Sequence, residues 1–295
     1  MKPGVTQPFL KWPGGKRWAA AKMLPLIKAH LSGSYFEPFL GGGALFFALS
    51  PARAVLADKN DELMNVYRMT KADPDLLLDR LKRLPVNEVH YELIRSQNGG
   101  SRVDRAVRLL YLNRTCFGGI YRLNRSGRFN VPYGGGSRTP ATLWTRGLLH
   151  AASKALGNAV LKTCDFEELL DEATRGDVVY CDPTYTVAHD GNGFIRYNES
   201  NFSWQDQQRL SAAIEGAARR GSTVLLSNAH HPEVRALFKA PKRWVLRRNS
   251  AVSADSSCRR EVAEYLFFWP GQARRPTDRG WRGGSVRSRK SPGRA

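Results

Sequence analysis

The chain has 295 residues, of which 42% are hydrophobic, and it carries a formal net charge of +20 at pH 7. This length and apolar content predict one large α/β domain or a domain with an insertion. No apolar run reaches the ~18–20 residues of a membrane span. The first residues lack the apolar centre of a signal peptide. The four cysteines are widely spaced, without a metal-ligand pair or a required disulfide, so we expect a cytoplasmic protein with no metal centre.

Short apolar runs alternate with helical patterns along most of the chain. Strands are predicted at residues 34–40, 54–58, 159–166, 177–182 and 222–228. A helix is predicted over residues 203–220, because Ser203 and Asp206 have the spacing of a capping box and apolar residues follow on one face. Residues 243–252 and 261–269 are typical of an antiparallel hairpin with a basic loop. Strands that alternate with helices indicate a mostly parallel α/β sheet, to which this hairpin is added.

Residues 61–150 interrupt this alternation. Residues 101–112 are predicted to form a helix with apolar residues on one side and arginines on the other. Residues 113–136 follow as a loop, in which a hairpin turn is expected at Ser126 and Gly127. We interpret the whole segment as a separate, mainly helical lobe that contacts a partner.

The positive charge is concentrated in two segments. Residues 95–150 contain ten arginines and a single acid, Asp104, and residues 271–295 contain seven arginines, one lysine and a single acid, Asp278. A surface that needs only solubility would mix both signs, so the segregation favours a polyanionic partner, above all nucleic acid. A membrane surface is the weaker alternative, because neither segment is an apolar amphipathic helix. The second segment has almost no apolar residues and is predicted to be disordered.

A strand, a glycine turn, a helix and an acid that ends the next strand form a general nucleoside-binding arrangement. In this chain the turn is formed by residues 41–43 and the acid is Asp58, whose carboxylate can accept hydrogen bonds from two ribose hydroxyls. The dinucleotide fingerprint G-x-G-x-x-G is incomplete, because Phe46 occupies its last position. The segment WPGGKR (12–17) lacks the Gly-Lys-Ser/Thr ending of a phosphate-binding loop. A dehydrogenase and a nucleoside triphosphatase are therefore not favoured.

The stretch VVYCDPTY (178–185) places an acid, a proline and a tyrosine directly behind an apolar strand. It can serve structure alone, with Pro183 ending the strand, Asp182 capping a turn and Tyr185 covering the core. Alternatively, these residues meet at the carboxyl edge of the sheet, where open α/β sheets bind ligands. The Asp182 carboxylate and the Pro183 carbonyl can accept both hydrogens of one exocyclic amine, while Tyr185 stacks on its ring. That arrangement suits an aminopurine base swung out of a helix.

Together, these motifs resemble those of the Dam-type DNA adenine-N6 methyltransferases, which use S-adenosylmethionine. The resemblance covers about residues 9–270, and the motifs occur in the family's order. They are FLKWPGGK (9–16), FEPFLGGGALFF (36–47), LADKNDELMNVY (56–67), NRTCFGGIYRLNRSGRFNVPYG (113–134), YCDPTY (180–185) and LLSN (225–228). The resemblance implies a Rossmann-like methyltransferase sheet with a C-terminal antiparallel hairpin and an inserted, mainly helical DNA-recognition domain. The expected division is a catalytic domain at residues 1–60 and 151–270, a target-recognition domain at 61–150 and a disordered basic tail at 271–295.

The resemblance also implies roles for individual residues. Catalysis is expected from Asp182, Pro183 and Tyr185. The expected cofactor-binding residues are Trp12, Lys16, Glu37, Gly41, Gly42, Gly43, Asp58, Asp165, Phe166 and Asp182. The expected DNA contacts are Lys11, Arg114, Phe117, Gly118, Ile120, Arg122, Asn124, Arg128 and Pro132. Among these, Lys11 and Arg122 match positions that read the target, and Phe117 and Ile120 match a loop that enters the duplex around the flipped base.

Two positions depart from the family's pattern. Thr184 stands where the family usually has a second proline, which loosens the turn but leaves the groups used in the proposed chemistry in place. Gly118 replaces an asparagine that helps with the site vacated by the flipped base, so the target is less determined than the reaction. The resemblance implies methylation of adenine in double-stranded DNA, with GATC as the expected target, and we expect a monomer or a weak dimer.

Other functions remain open at this point. An RNA or protein N-methyltransferase would share the cofactor-binding half, and the arginine-rich insertion favours nucleic acid over protein without separating DNA from RNA. A catalytically silent DNA-binding protein of the same fold is an alternative from another class. The intact Asp182, Pro183, Tyr185 and Asp58 argue against a silent protein, and Thr184 is the only feature in its favour.

Overall fold

Seven strands form one sheet in the computed structural model, which describes residues 6–124, 126–185, 202–249 and 261–272. The strands are β1 (Tyr35–Glu37), β2 (Ala54–Asp58), β3 (Ala159–Thr163), β4 (Val178–Cys181), β5 (Thr223–Ala229), β6 (Lys242–Asn249) and β7 (Glu261–Trp269). Their spatial order is β3-β2-β1-β4-β5-β7-β6. The first five strands are parallel, and β7 runs antiparallel to both β5 and β6. The predicted parallel α/β sheet with a C-terminal antiparallel hairpin is therefore confirmed.

The strand order places a ligand site at the middle of the sheet. The chain moves outward from β1 to β2 and β3, and then returns to pair β4 with the other side of β1. Open α/β sheets with this order bind ligands at the carboxyl ends of the strands, where the order reverses. The ends of β1 and β4 are at Glu37 and Cys181, so the segments that follow them meet at this point.

The central strands β1, β4 and β5 are buried along their whole length because both faces of the sheet are covered there. Neighbouring residues on one strand enter two separate cores, as Tyr35 and Phe36 on β1 and Val178 and Val179 on β4 illustrate. This alternation follows from the two-residue period of a β-strand. The helices that contribute to the first core include α1 (Ala20–His30), α2 (Ala44–Leu49) and α3 (Asp61–Ala72). The helices that contribute to the second core are α9 (Phe166–Glu172), α10 (Trp204–Arg219) and α11 (Pro232–Leu237).

Two predicted strands are shorter in the structure, and local chemistry explains both differences. β1 ends at Glu37 rather than at residue 40, because Pro38 has no N–H with which to continue the ladder. β3 ends at Thr163 rather than at residue 166, because Asp165 caps helix α9 through a hydrogen bond from Glu167 N. The predicted capping box of Ser203 and Asp206 is confirmed at the start of α10.

Between β2 and β3 the described residues form six α-helices, and a short 3-10 helix (Phe117–Gly119) follows the fourth of them. The α-helices are α3, α4 (Pro74–Lys82), α5 (Glu88–Ser96), α6 (Arg102–Thr115), α7 (Pro140–Leu143) and α8 (Arg146–Leu156). The helix predicted at residues 101–112 corresponds to α6 and is longer, because the buried polar residues of its last turn have partners: Thr115 Oγ1 donates to Tyr111 O at 2.6 Å, and Asn113 bonds to Lys11. After α6, antiparallel bridges join Cys116 to Tyr133 and Leu123 to Phe129, which forms the expected hairpin-like loop.

Within the described part of the chain, no helix combines the length and apolarity needed to cross a membrane. The predicted disordered tail falls almost entirely outside the described residues, which end at 272.

Candidate active site

Acidic residues gather at the carboxyl edge of the sheet. Glu37 and Asp58 end the neighbouring strands β1 and β2, Asp165 follows β3, and Asp182 follows β4. Because these four strands are parallel and adjacent, their ends bring the four acids to the same edge. A fifth acid, Glu264, lies opposite Ala229, the last residue of β5, since β7 runs in the opposite direction.

The Lys16 ammonium is the centre of a buried ionic cluster at this edge. Its Nζ lies 3.1 Å from Asp182 Oδ1 and 3.1 Å from Glu264 Oε2, and it donates a hydrogen bond to Tyr185 Oη at 2.8 Å. The side chains of Lys16 and Glu264 are 5% and 3% exposed, whereas that of Asp182 is 18% exposed. Among the three charged side chains of the cluster, Asp182 is therefore the most open to a ligand.

The cluster changes the ionisation of its members. Burial opposes the charge on Lys16, but attraction to Asp182 and Glu264 outweighs burial and raises the pKa of the ammonium. Burial raises the pKa of Asp182 to about 6, although Lys16 acts in the opposite direction. Burial also raises the pKa of Glu37 to about 8, despite a hydrogen bond from Tyr35 Oη at 2.9 Å. At neutral pH the site thus contains an ionised Asp182 beside a protonated Glu37.

The glycine turn after β1 forms a cradle of backbone. Gly41 has a φ of +47°, and its N–H donates to Asp58 Oδ2 at 3.0 Å, while Asn60 N donates to Asp58 Oδ1 at 3.0 Å. A Cβ on Gly41 would lie 2.8 Å from the Trp12 ring, so only glycine lets the indole rest on this turn. The turn, the partly buried Asp58 carboxylate and the Trp12 indole are groups that fit a nucleoside-containing cofactor such as S-adenosylmethionine.

The predicted adenine-binding pair lies at the end of β3. Asp165 Oδ1 accepts hydrogen bonds from Glu167 N at 3.1 Å and from Arg209 Nη2 at 3.0 Å. The Phe166 ring is stacked on Phe39, with centroids 5.5 Å apart, and the Arg209 guanidinium lies 4.9 Å from its centroid on another side. Asp165 and Phe166 are thus held firmly by α10 and by the segment that follows β1.

The predicted DNA-contacting residues lie outside the ionic cluster: most are on the loop after α6, Arg114 is in the last turn of α6, and Lys11 comes from the start of the chain. The side chains of Lys11, Phe117, Gly118, Ile120, Arg122, Asn124, Arg128 and Pro132 are exposed, and Arg114 is partly buried. Phe117 is 62% exposed, which is unusual for so large an apolar side chain. Gly118 has a φ of +62°, so the loop has a left-handed turn between Phe117 and Ile120.

Lys11 is fixed to this loop from two sides. Lys11 N donates to Asn113 Oδ1 at 2.9 Å, and Asn113 Nδ2 donates to Lys11 O at 2.6 Å. A Cβ on Gly119 would lie 2.3 Å from Lys11 Cδ, so the lysine side chain rests directly on the Gly119 backbone. The stacked rings of Trp12 and Tyr121, 4.8 Å apart, continue this contact and join the loop after α6 to the glycine turn.

Several residues of the site were missed in the sequence. Glu264 carried a signal, because it is a single acid between the apolar residues of a predicted strand. Asn113, Tyr121 and Arg209 carried none beyond their proximity to motifs, since their partners come from distant parts of the chain. The pairing of Lys16 with Asp182 was also not predicted, although both residues were.

Comparisons with known proteins agree with this geometry. The family model of the D12 class N6 adenine-specific DNA methyltransferases matches residues 12–251. The chain is 37% identical over 273 residues to the Type II methyltransferase M1.LlaDCHI of Lactococcus lactis subsp. cremoris, covering 88% of this chain and 94% of that protein. It is 31% identical over 272 residues to the DNA adenine methylase of Escherichia coli (strain K12), covering 89% of this chain and 95% of that protein. The chain therefore belongs to the D12 class of N6 adenine-specific DNA methyltransferases.

Proposed function

We propose that this protein transfers a methyl group from S-adenosylmethionine to the exocyclic amine of adenine in double-stranded DNA, within the sequence GATC. The observation that carries the proposal is the Asp182 carboxylate, which follows β4 at the reversal of strand order and is held there by Lys16. Asp182 is followed by Pro183, whose carbonyl is a second acceptor next to the carboxylate. We further propose that the protein acts in the cytoplasm as a monomer or a weak dimer.

The cofactor would be held by the glycine turn and the acids around it. When bound, S-adenosylmethionine supplies a methyl group on a positively charged sulfur. The Asp58 carboxylate has about four lone-pair sites. Two of them accept hydrogen bonds from Gly41 N and Asn60 N, so the others can accept hydrogen bonds from the ribose hydroxyls. Asp165 and Phe166 would contact the adenine of the cofactor, and Glu37 would face its methionine end.

Asp182 and Pro183 would act on the amine of the target adenine. That nitrogen is a poor nucleophile, because its lone pair is delocalised into the ring. If the Asp182 carboxylate accepts one N–H and the Pro183 carbonyl accepts the other, the nitrogen is favoured in a pyramidal form with a localised lone pair. After gaining the methyl group, the nitrogen releases one proton, for which the ionised Asp182 is a ready acceptor. Tyr185, held by Lys16, would stack on the base.

The basic loop after α6 would grip and read the DNA. Lys11 and Arg122 are proposed to contact the target bases, with Phe117 and Ile120 entering the space that the flipped adenine leaves. Arg114, Gly118, Asn124, Arg128 and Pro132 would complete the contact. The preorganised backbone around Lys11 supports this role, because a reading residue loses specificity when its position is loose. We propose that residues 61–150 form the target-recognition domain and residues 1–60 and 151–270 the catalytic one.

Incubation with methyl-labelled cofactor and a GATC duplex, a duplex of the same composition in scrambled order or a single-stranded RNA tests the proposal. We expect label in the GATC duplex alone, located at N6 of adenine after digestion. Equal label in both duplexes would refute the target, and label only in RNA would refute the substrate class. Tight duplex binding without any label would identify a catalytically silent protein.

A further inference from the structure

Glu264 is a buried acid at the beginning of the buried part of β7. It is followed on β7 by Tyr265, Leu266, Phe267 and Phe268, all of which are buried. A carboxylate in such surroundings is strongly disfavoured unless a charged partner compensates it, and Lys16 Nζ lies 3.1 Å from Glu264 Oε2. The chain therefore maintains a costly charge at one particular point, behind the Lys16–Asp182 pair.

The sheet register places this acid at the ligand edge. Glu264 pairs with Ala229 at the end of β5 and with Leu246 on β6. Tyr180 on β4 faces the same cluster, where its hydroxyl is 3.0 Å from Ser227 Oγ. Glu264 thus approaches Lys16 from the hairpin, on the opposite side from the turn after β4 that carries Asp182.

Three acceptors surround an ammonium that has three hydrogens to donate. Lys16 Nζ contacts Glu264 Oε2, Asp182 Oδ1 and Tyr185 Oη at 3.1, 3.1 and 2.8 Å. Because Glu264 and Tyr185 occupy two of the hydrogens, the third is directed at Asp182 Oδ1. The other oxygen, Oδ2, would then be the acceptor for the adenine amine. Without Glu264 the ammonium would be free to move onto both oxygens of Asp182.

Glu264 also sets the net charge of the cluster. Lys16 paired with Asp182 alone is neutral, whereas Lys16 shared between two carboxylates leaves one negative charge. Among the described residues, the other titratable groups that face the cluster are Glu37, Tyr180 and Tyr185, and burial raises the pKa of both Glu37 and Tyr180, which keeps them uncharged near neutral pH. The remaining negative charge therefore depends on Glu264, and it keeps Asp182 a strong acceptor.

We propose that Glu264 is a positioning residue for the methyl transfer: it holds Lys16 so that Asp182 presents one oxygen and an uncompensated negative charge to the amine. This inference rests on the proposed function of Asp182. Glu264 does not touch the reacting atoms, and its effect on them passes entirely through Lys16.

The test is the Glu264→Gln variant, which keeps the shape of the side chain and removes its charge. We expect kcat to fall about 10- to 100-fold with little change in the KM for DNA, as for other groups that orient a reactive residue. Since both carboxylates lie 3.1 Å from one nitrogen, losing the charge of Glu264 should move the acidic limb of kcat/KM to lower pH by about one unit. Carboxyl ¹³C chemical shifts of the cofactor-free protein should show the same displacement for Asp182.

Two further variants make the test decisive. Asp177→Asn removes a buried carboxylate at the opposite edge of the sheet, which accepts hydrogen bonds from Ser34 N and Thr174 N, and it should lower the melting temperature without moving the acidic limb. Glu264→Asp keeps the charge, so its acidic limb should coincide with that of the wild type while kcat is reduced. This variant carries the test if Glu264→Gln does not fold.

Either of two outcomes would overturn the inference. One is a folded Glu264→Gln variant that has the wild-type kcat and the wild-type acidic limb of kcat/KM. The other is a Glu264→Asp variant in which this acidic limb is displaced. Failure of the proposed function is distinguishable from these results, because the wild-type protein itself would then transfer no methyl group to DNA.

Discussion

Replacing Glu37 with glutamine tests the electrostatics of the candidate cofactor site through the stability of the free protein. Glu37 is buried at the end of β1, where its carboxylate accepts a hydrogen bond from Tyr35 Oη at 2.9 Å. Burial raises the pKa of Glu37 from the ordinary value of 4.5 to about 8, although that hydrogen bond acts in the opposite direction. Glutamine has the shape of the protonated acid, so the substitution removes the titration and preserves the packing.

The direction of the effect follows from the raised pKa. An acid that binds its proton more tightly in the folded protein contributes full stability below its unfolded pKa, and this contribution is lost as the pH rises toward the folded value. With pKa values of 4.5 and about 8, the loss in free energy of unfolding is about 1 kcal/mol at pH 5 and about 3 kcal/mol at pH 7. The free energy of unfolding of Glu37→Gln, relative to that of the wild type, should therefore rise by about 2 kcal/mol between pH 5 and pH 7.

Urea unfolding of the cofactor-free protein, followed by circular dichroism at several pH values from 5 to 7, measures this difference. The matched control is Asp177→Asn, which removes another buried carboxylate and should destabilise the protein, because asparagine keeps only one of the two oxygens that accept hydrogen bonds from Ser34 N and Thr174 N. A free-energy difference between Glu37→Gln and the wild type that is the same at pH 5 and pH 7 would refute the reasoning, since Glu37 would then not titrate in this range.

Four further results are expected. Asp182→Ala should lower kcat by about 10³-fold or more, while calorimetry shows near-normal cofactor binding because Asp58 and the glycine turn remain; near-normal turnover would contradict the role of Asp182. For the wild type, kcat/KM should fall as the pH drops through about 6, because Asp182 accepts the amine only when ionised, and a flat profile from pH 5 to 7 would contradict this. Asn113→Ala should reduce the ratio of kcat/KM for a GATC duplex to kcat/KM for a single-mismatch duplex, because Lys11 loses both of its backbone hydrogen bonds to Asn113. Cofactor affinity should not change, and an unchanged ratio would exclude a positioning role for Asn113. Removing residues 271–295 should weaken DNA binding and flatten its salt dependence, and an unchanged slope would show that the tail does not contact DNA.

The positions of the central strands β1, β2, β4 and β5 could be predicted because these strands are almost entirely buried. Such strands appear in the sequence as short apolar runs, and β2 agrees with its prediction at both ends. The ends of β1 and β3 were less predictable, since they depend on Pro38 and on the cap formed by Asp165 rather than on hydrophobicity. The motif residues Asp58, Asp182 and Gly41 were predictable as a site, because each follows a parallel strand and parallel strands end at one edge.

The sequence by itself determined the kinds of groups at the site and the edge of the sheet at which they lie, since strand periodicity and turn residues are local properties of the chain. Only the tertiary structure decided which groups touch. Lys16 lies in a short 3-10 helix near the start of the chain, Asp182 directly after β4 and Glu264 on the last strand. Their contacts exist because β7 inserts next to β5 in the reverse direction. Ion pairing acts over a few ångströms, so it is set by strand order in space, which no local pattern contains.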